Sequence, residues 1–147
     1  MATINFQTEG IKFELKNKRF VSEWIRNCVE KEGVKIGHLV FIFTSDEMLS
    51  EMNQRFLNHK TLTDILTFPG EYNSKEIKGE MYISIERVKE NAEMYEEPFT
   101  RELCRVMIHG VLHLVGYKDK SVEEKQKMKE KEEEMLQLLP ARVILQF

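Results

Sequence analysis

The sequence is poor in cysteine and proline, with two and three residues respectively in a chain of 147. Cys28 and Cys104 lie far apart inside apolar segments, with no CxxC or CxxH pattern. A disulfide framework or a cysteine-based metal site is thereby excluded, and both read as reduced core thiols of a cytosolic protein. The scattered prolines mark no linker, and neither a repeat nor a low-complexity tract occurs. Long hydrophobic runs are missing too. The longest nearly apolar stretch, Val106 to Gly116, is broken by two histidines and is too short to span a bilayer. The opening MATINFQTEG lacks the basic and apolar regions of a secretory signal. The expectation is a cytoplasmic protein with no membrane partner. An excess of positive charge is also absent, with net charge −3 and pI near 5.9. Binders of nucleic acid more often carry a net positive charge, so such a partner would need a local basic patch.

What is present suits one globular domain: a hydrophobic content of 41% and a charged content of 32%, in a chain long enough to bury a core. Ile11, Phe13 and Leu15 alternate with polar residues, predicting a first strand. Phe20, Val21, Trp24, Ile25, Cys28 and Val29 recur at helical spacing up to Gly33. Leu39 to Phe43 is a continuous apolar run that suits an interior strand. Ser45 and Asp46 can cap a helix burying Met48, Leu49, Met52 and Phe56. Thr63 to Phe68 reads as a strand stopped by Pro69-Gly70, and Met81, Ile83 and Ile85 as another. Val88, Ala92 and Tyr95 mark a helix ending before Pro98. Thr100 is placed to cap a helix over Arg101 to Val115, apolar on nearly every side and so central and buried. Ser121 and Glu124 form a capping box for a last, charged helix with Met128, Met135 and Leu139 inward. The tail Ala141 to Phe147 can pack on the body or pair with a sheet edge. Strands and helices mix without strict alternation, which predicts a single α+β domain: a small mixed β-sheet packed against several helices.

The chemically informative stretch is His109-Gly-Val-Leu-His113-Leu-Val-Gly116-Tyr-Lys-Asp119. Two histidines four apart on a helix project from one face about a turn apart and can share a metal ion. Spacing alone leaves open a pair of buried neutral imidazoles. Gly116 then lets the chain turn back, which brings Asp119 toward the same point as a third ligand. Three protein ligands with a fourth position open are the pattern of a catalytic zinc site.

HGVLHLVGYKD resembles the signature of the YbeY family of bacterial metallo-endoribonucleases, usually H-G-x-L-H-L-x-G-Y-D-H. Thr63-Asp-Ile-Leu-Thr-Phe68 is similar to that family's T-D-V-L-S-F strand, and Gly79-Glu-Met81 to its G-D-I. The resemblance runs in order from about Met52 through the last helix. It implies a single α/β domain with one zinc ion, cleavage of single-stranded RNA, and roles in ribosomal RNA maturation, at the 3′ end of the small-subunit RNA, and in ribosome quality control. The small ribosomal subunit is then an expected partner and a monomer the expected state. Nickel, like zinc, suits imidazole ligands.

The chain departs from the family pattern at three positions. Asp119 stands where the family has its third histidine, which adds negative charge and weakens the ion as a Lewis acid. Lys118 stands where the family has aspartate; with Lys120 it can offset that charge and attract phosphate. Leu57 stands where the family usually has an arginine, leaving Arg55 as a possible substitute. Asp64 and Glu80 are carboxylates that could flank the site, each equally readable as a plain strand residue. His38 and His59 read as surface residues, and Lys125 to Glu134 as a solvated helix face. Two rival functions remain: a ribosome-associated RNA-binding factor with a structural or vestigial metal, and a zinc peptidase. Gly110, where zinc peptidases carry a glutamate, argues against the second.

Overall fold

The computed structural model describes residues 2–57 and 63–140. Its elements run β1 (Thr3–Thr8), α1 (Lys18–Lys31), β2 (Lys35–Thr44), α2 (Asp46–Leu57), β3 (Ile65–Pro69), β4 (Glu76–Ser84), α3 (Ile85–Met94), α4 (Phe99–Val115) and α5 (Val122–Leu136). The architecture is α+β, with a four-stranded mixed sheet in the order β1-β2-β4-β3. β1 and β4 flank β2 in parallel, while β3 runs antiparallel to β4. Leu39 to Phe43 is therefore interior strand, and all five of its side chains are buried.

Sheet pleating sorts the side chains between two faces. Phe41, Phe43, Met81 and Ile83 join α1, α3, α4 and α5 in the main core. On the opposite face Phe68 stacks edge-on with both Tyr82 and Phe56 of α2. Helix α4 lies close on β3 and β4 because two glycines permit it. A Cβ on Gly110 would meet Ile65 Cδ1 at 2.8 Å and Met81 Sδ at 2.9 Å, and one on Gly79 would meet Leu114 Cδ1 at 3.0 Å. The helix bearing His109 and His113 is thus held between the sheet and α5, to which Arg101 and Arg105 bind through Glu133 at 3.0 and 2.6 Å.

Several local expectations shift. The first strand is Thr3–Thr8, not Ile11 to Leu15. Gly10, at φ +71, turns the chain off the sheet, and residues 11, 13 and 15 lie against the core without a ladder partner. Alternation there reports half-buried extended chain rather than pairing. Helix α2 buries Leu49 and Asn53, while Phe56 at its end is 58% exposed. β4 ends one residue early because Ser84 caps α3, its hydroxyl accepting from the Arg87 N–H, and Ile85 becomes helical. Tyr95 ends α3 as an exposed residue. Helix α4 starts at Phe99, so Thr100 is a buried residue inside the first turn and not the cap. The tail 141–147 and His59 lie outside the described residues.

Candidate metal centre

Helix α4 presents His109 and His113 on one face, one turn apart. Gly116 ends the helix at φ +128, a conformation that side chains disfavour, and the N–H groups of Gly116 and Tyr117 both donate to Leu112 O. The chain doubles back and carries Asp119 to the two rings. Asp119 Oδ2 lies 3.4 Å from His109 Nε2 and 3.3 Å from His113 Nε2, and the two Nε2 atoms are 3.0 Å apart.

The other ring nitrogens decide what these three atoms are. His109 Nδ1 lies 2.6 Å from Glu132 Oε2, and His113 Nδ1 lies 3.0 Å from Tyr117 O. A carboxylate and a carbonyl can only accept, so both Nδ1 atoms carry the proton. In neutral rings both Nε2 atoms are then lone-pair acceptors. Two imidazole lone pairs and a carboxylate oxygen converge on one point with no donor among them. Such a cluster repels itself unless a cation sits at its centre. The spacing fits that cation: ligands about 2.05 Å from a tetrahedral ion lie about 3.3 Å from one another. His109, His113 and Asp119 are together able to hold a metal ion.

The supporting contacts fix the rings in place. Glu132 is 7% exposed, and Arg105 Nη1 approaches its other oxygen at 3.6 Å. Tyr117, whose carbonyl accepts from His113, donates its hydroxyl to Glu32, which also meets Lys131 Nζ at 3.2 Å. In the metal-free chain burial opposes charging of His109. The hydrogen bond to Glu132 and the charges of Glu132, Asp119 and Asp64 outweigh it and hold the imidazole above its ordinary value. The same negative field favours a bound cation. Asp64 is held above the usual carboxylate range by burial, against the opposing charge of His109.

A pocket of about 570 Å³ opens beside the His109 ring, and Asp64, His109, Asp119 and Glu132 are among its lining. The chain is matched over residues 3–140 by the family model described as Endoribonuclease YbeY. It belongs to the YbeY family. Relatives named Endoribonuclease YbeY include one from Amoebophilus asiaticus, 46% identical over 89% of each chain. Another, from Flavobacterium psychrophilum, is 46% identical over 92% of this chain and 95% of its own. The solution structure of TM1509 from Thermotoga maritima superposes with a TM-score of 0.67, at 30% identity, over 93% of this chain and 89% of that one. The YbeY membership thus spans nearly the whole fold, including β1 and α1, where the sequence shows agreement only in its pattern of elements.

The fold brings together some of the expected residues and separates others. His109, His113 and Asp119 converge, and Asp64 lines the adjoining pocket. Glu80 pairs in register with Phe68, on the α2 face of the sheet, away from α4. Arg55 lies on α2, exposed, and pairs with Glu51 at 3.5 Å, while Leu57 is 46% exposed at that helix's end. Lys118 and Lys120 are exposed on either side of Asp119. His38 is exposed as expected, on β2, and hydrogen-bonded to Thr3. Cys28 and Cys104 are free and buried, and burial pushes both thiols up to about 12. Sequence reading misses Glu132, taking it for part of a solvated run. Its signal is a charge four residues after Met128 and three before Met135, on the stripe that α5 buries.

Proposed function

We propose that this chain is a zinc-dependent endoribonuclease that cleaves single-stranded RNA, with His109, His113 and Asp119 as ligands of one ion. By the same reading it acts on ribosomal RNA, at the 3′ end of the small-subunit RNA, and in ribosome quality control in the cytoplasm. The observation that carries this is the convergence of two imidazole Nε2 atoms and a carboxylate oxygen at 3.0 to 3.4 Å. The relatives named as endoribonucleases support the substrate class. Nickel would satisfy the same donors.

A bound zinc ion supplies a Lewis acid that acidifies a coordinated water and withdraws charge from a phosphoryl oxygen. The protein's own residues arrange that chemistry. Glu132 and the Tyr117 carbonyl fix both imidazoles with their Nε2 lone pairs inward, so ring orientation is set before any substrate arrives. Asp119 contributes one negative charge, which moderates the cation's pull. Asp64 lies in the pocket with a proton affinity raised by burial, as suits a group that takes up a proton. Of the weaker catalytic candidates it alone lies on the His109 side of the sheet. Lys118 and Lys120, exposed beside Asp119, suit phosphates flanking the scissile bond.

The peptidase alternative has no place for its glutamate, because Gly110 faces Ile65 and Met81 at sub-contact distance and not the ligand cluster. The test is cleavage of single-stranded and duplex RNA, with casein as a control, by the zinc-loaded chain and by His113→Ala. Single-strand cleavage lost in the variant is the expected result. Zinc binding without any turnover would replace this reading with the RNA-binding factor, and casein cleavage with the peptidase.

A further inference from the structure

The pocket beside the ligand cluster runs between α3, α4 and α5, and its chemistry changes with depth. Its deep wall carries Glu102, 4% exposed, whose side chain makes no hydrogen bond among the described residues. The nearest cation to that carboxylate is Arg105 Nε at 3.6 Å, and the same guanidinium already meets Glu133 at 2.6 Å. Asp64 opens onto the pocket as well, with Asn91 Nδ2 at a long 3.4 Å. A buried carboxylate without a donor is costly, and Glu102 lacks an N–H or O–H partner at hydrogen-bond distance. It is equally hostile to phosphate. The mouth is different. Tyr95, at the end of α3, is 61% exposed, and Lys125 and Lys129 are exposed on the α5 side with no ion pair among the described residues.

An aromatic ring at the entrance, free cations on the rim and a donor-seeking carboxylate within match the parts of a nucleotide. The base is flat, neutral and rich in N–H groups; the phosphate is anionic and belongs outside. We propose that this pocket is a nucleobase subsite for the nucleotide next to the scissile phosphate. Its base stacks on Tyr95 and donates to Glu102, and the adjoining backbone follows Lys125 and Lys129. Guanine fits best, because its Watson–Crick edge alone offers two adjacent N–H donors to one carboxylate. Uracil, with one donor between two carbonyls, fits worst. A paired base cannot enter, so the subsite itself discriminates against duplex RNA. The inference rests on the endoribonuclease reading and adds where the neighbouring base goes.

The experiment is equilibrium binding of short single-stranded oligonucleotides to the zinc-loaded chain, read by fluorescence anisotropy. Each carries 2′-deoxy sugars to block ribose-assisted cleavage and one of the four bases at each position in turn. Zinc content is measured in every variant. Wild type should prefer guanine over uracil at one position by about tenfold. Tyr95→Ala should weaken binding at that position about tenfold with zinc content unchanged, the scale of one lost base–aromatic stack. Glu102→Gln should flatten the guanine preference while overall affinity changes less. Base preference and affinity unmoved in both variants, while RNA is still cleaved, would overturn the subsite and leave the endoribonuclease reading intact. Failure of the zinc-loaded wild type to bind or cut any RNA would overturn both.

Discussion

At Glu132 the carboxylate partner of His109 Nδ1 has a measurable consequence. The 2.6 Å contact fixes the tautomer and points Nε2 at the ligand centre, with Arg105 holding the carboxylate from behind. Losing such a partner usually costs ten- to a hundredfold in metal affinity. Glu132→Gln keeps an acceptor and should cost about tenfold, whereas Glu132→Ala should cost about a hundredfold. Competition with a chromophoric chelator measures both, and equal affinity in wild type and the alanine variant would show that the contact orients nothing. Asp119 makes the complementary point. Its carboxylate stands 3.3 Å from His113 Nε2, close to the edge of a tetrahedral shell. Asp119→His replaces one ligand type by another, so one zinc per chain should remain, with less negative charge on the ion. Loss of stoichiometric zinc in that variant would mean that this turn accepts a carboxylate and not a ring.

Among the elements α4 matters most, because its approach to the sheet sets where both rings stand. Gly110 permits that approach, with Ile65 Cδ1 and Met81 Sδ within 2.9 Å of a notional Cβ. Gly110→Val should destabilise the fold by about 1–3 kcal/mol through overpacking. Thermal unfolding checks this, and an unchanged midpoint would show that the interface is loose. Much of this element was legible in sequence: the all-round apolar pattern gave a central helix, and the i, i+4 histidines with Gly116 gave two rings and a returning chain. The Leu39 to Phe43 run likewise announced an interior strand, and Ser121 with Glu124 a capping box that the structure contains. Other features were not legible for physical reasons. Alternation at Ile11, Phe13 and Leu15 is produced equally by extended chain lying on a core, so periodicity could not separate it from a paired strand. Thr100 has the chemistry of a cap, but the helix starts one residue earlier, at Phe99, with Pro98 in the N-cap position. Glu132 was hidden because a charge run reads as solvated until packing of α5 on α4 buries one member.

For the whole molecule, the distribution of charge governs both stability and substrate approach. In the metal-free chain Glu102, Asp64 and His109 are among the groups that hold protons more tightly in the fold than an unfolded chain would. Burial raises Glu102 to about 7, against the pull of Arg105, and raises Asp64; His109 is also raised, because Glu132 and its neighbours outweigh burial. A folded state that binds more protons loses stability as pH rises. The contribution of His109 is complete below the ordinary imidazole value and is lost as pH climbs through its higher folded value. The Glu102 penalty likewise appears as pH rises from the ordinary carboxylate range through 7. The metal-free chain should therefore unfold at higher urea at pH 6 than at pH 8. The zinc-loaded chain should show the opposite trend, since protons then compete for the ligand nitrogens. Parallel trends in the two forms would contradict the placement of His109. Under the proposed function, substrate approach would depend on the exposed lysines around α5, which counter the net charge of −3 locally. Lys120→Ala should weaken RNA binding at low salt and reduce its salt dependence, because each phosphate contact contributes about one unit to the logarithmic slope. An unchanged slope would remove Lys120 from the interface.

The measurement that bears most directly on the account is calorimetric titration of zinc into the metal-stripped chain, beside His113→Ala. Three converging acceptors predict one tight site per chain in the wild type, with proton release where His109 was charged, and no tight site in the variant. A wild type that takes up no zinc, or a variant that binds it with equal stoichiometry and affinity, would contradict the account at its base.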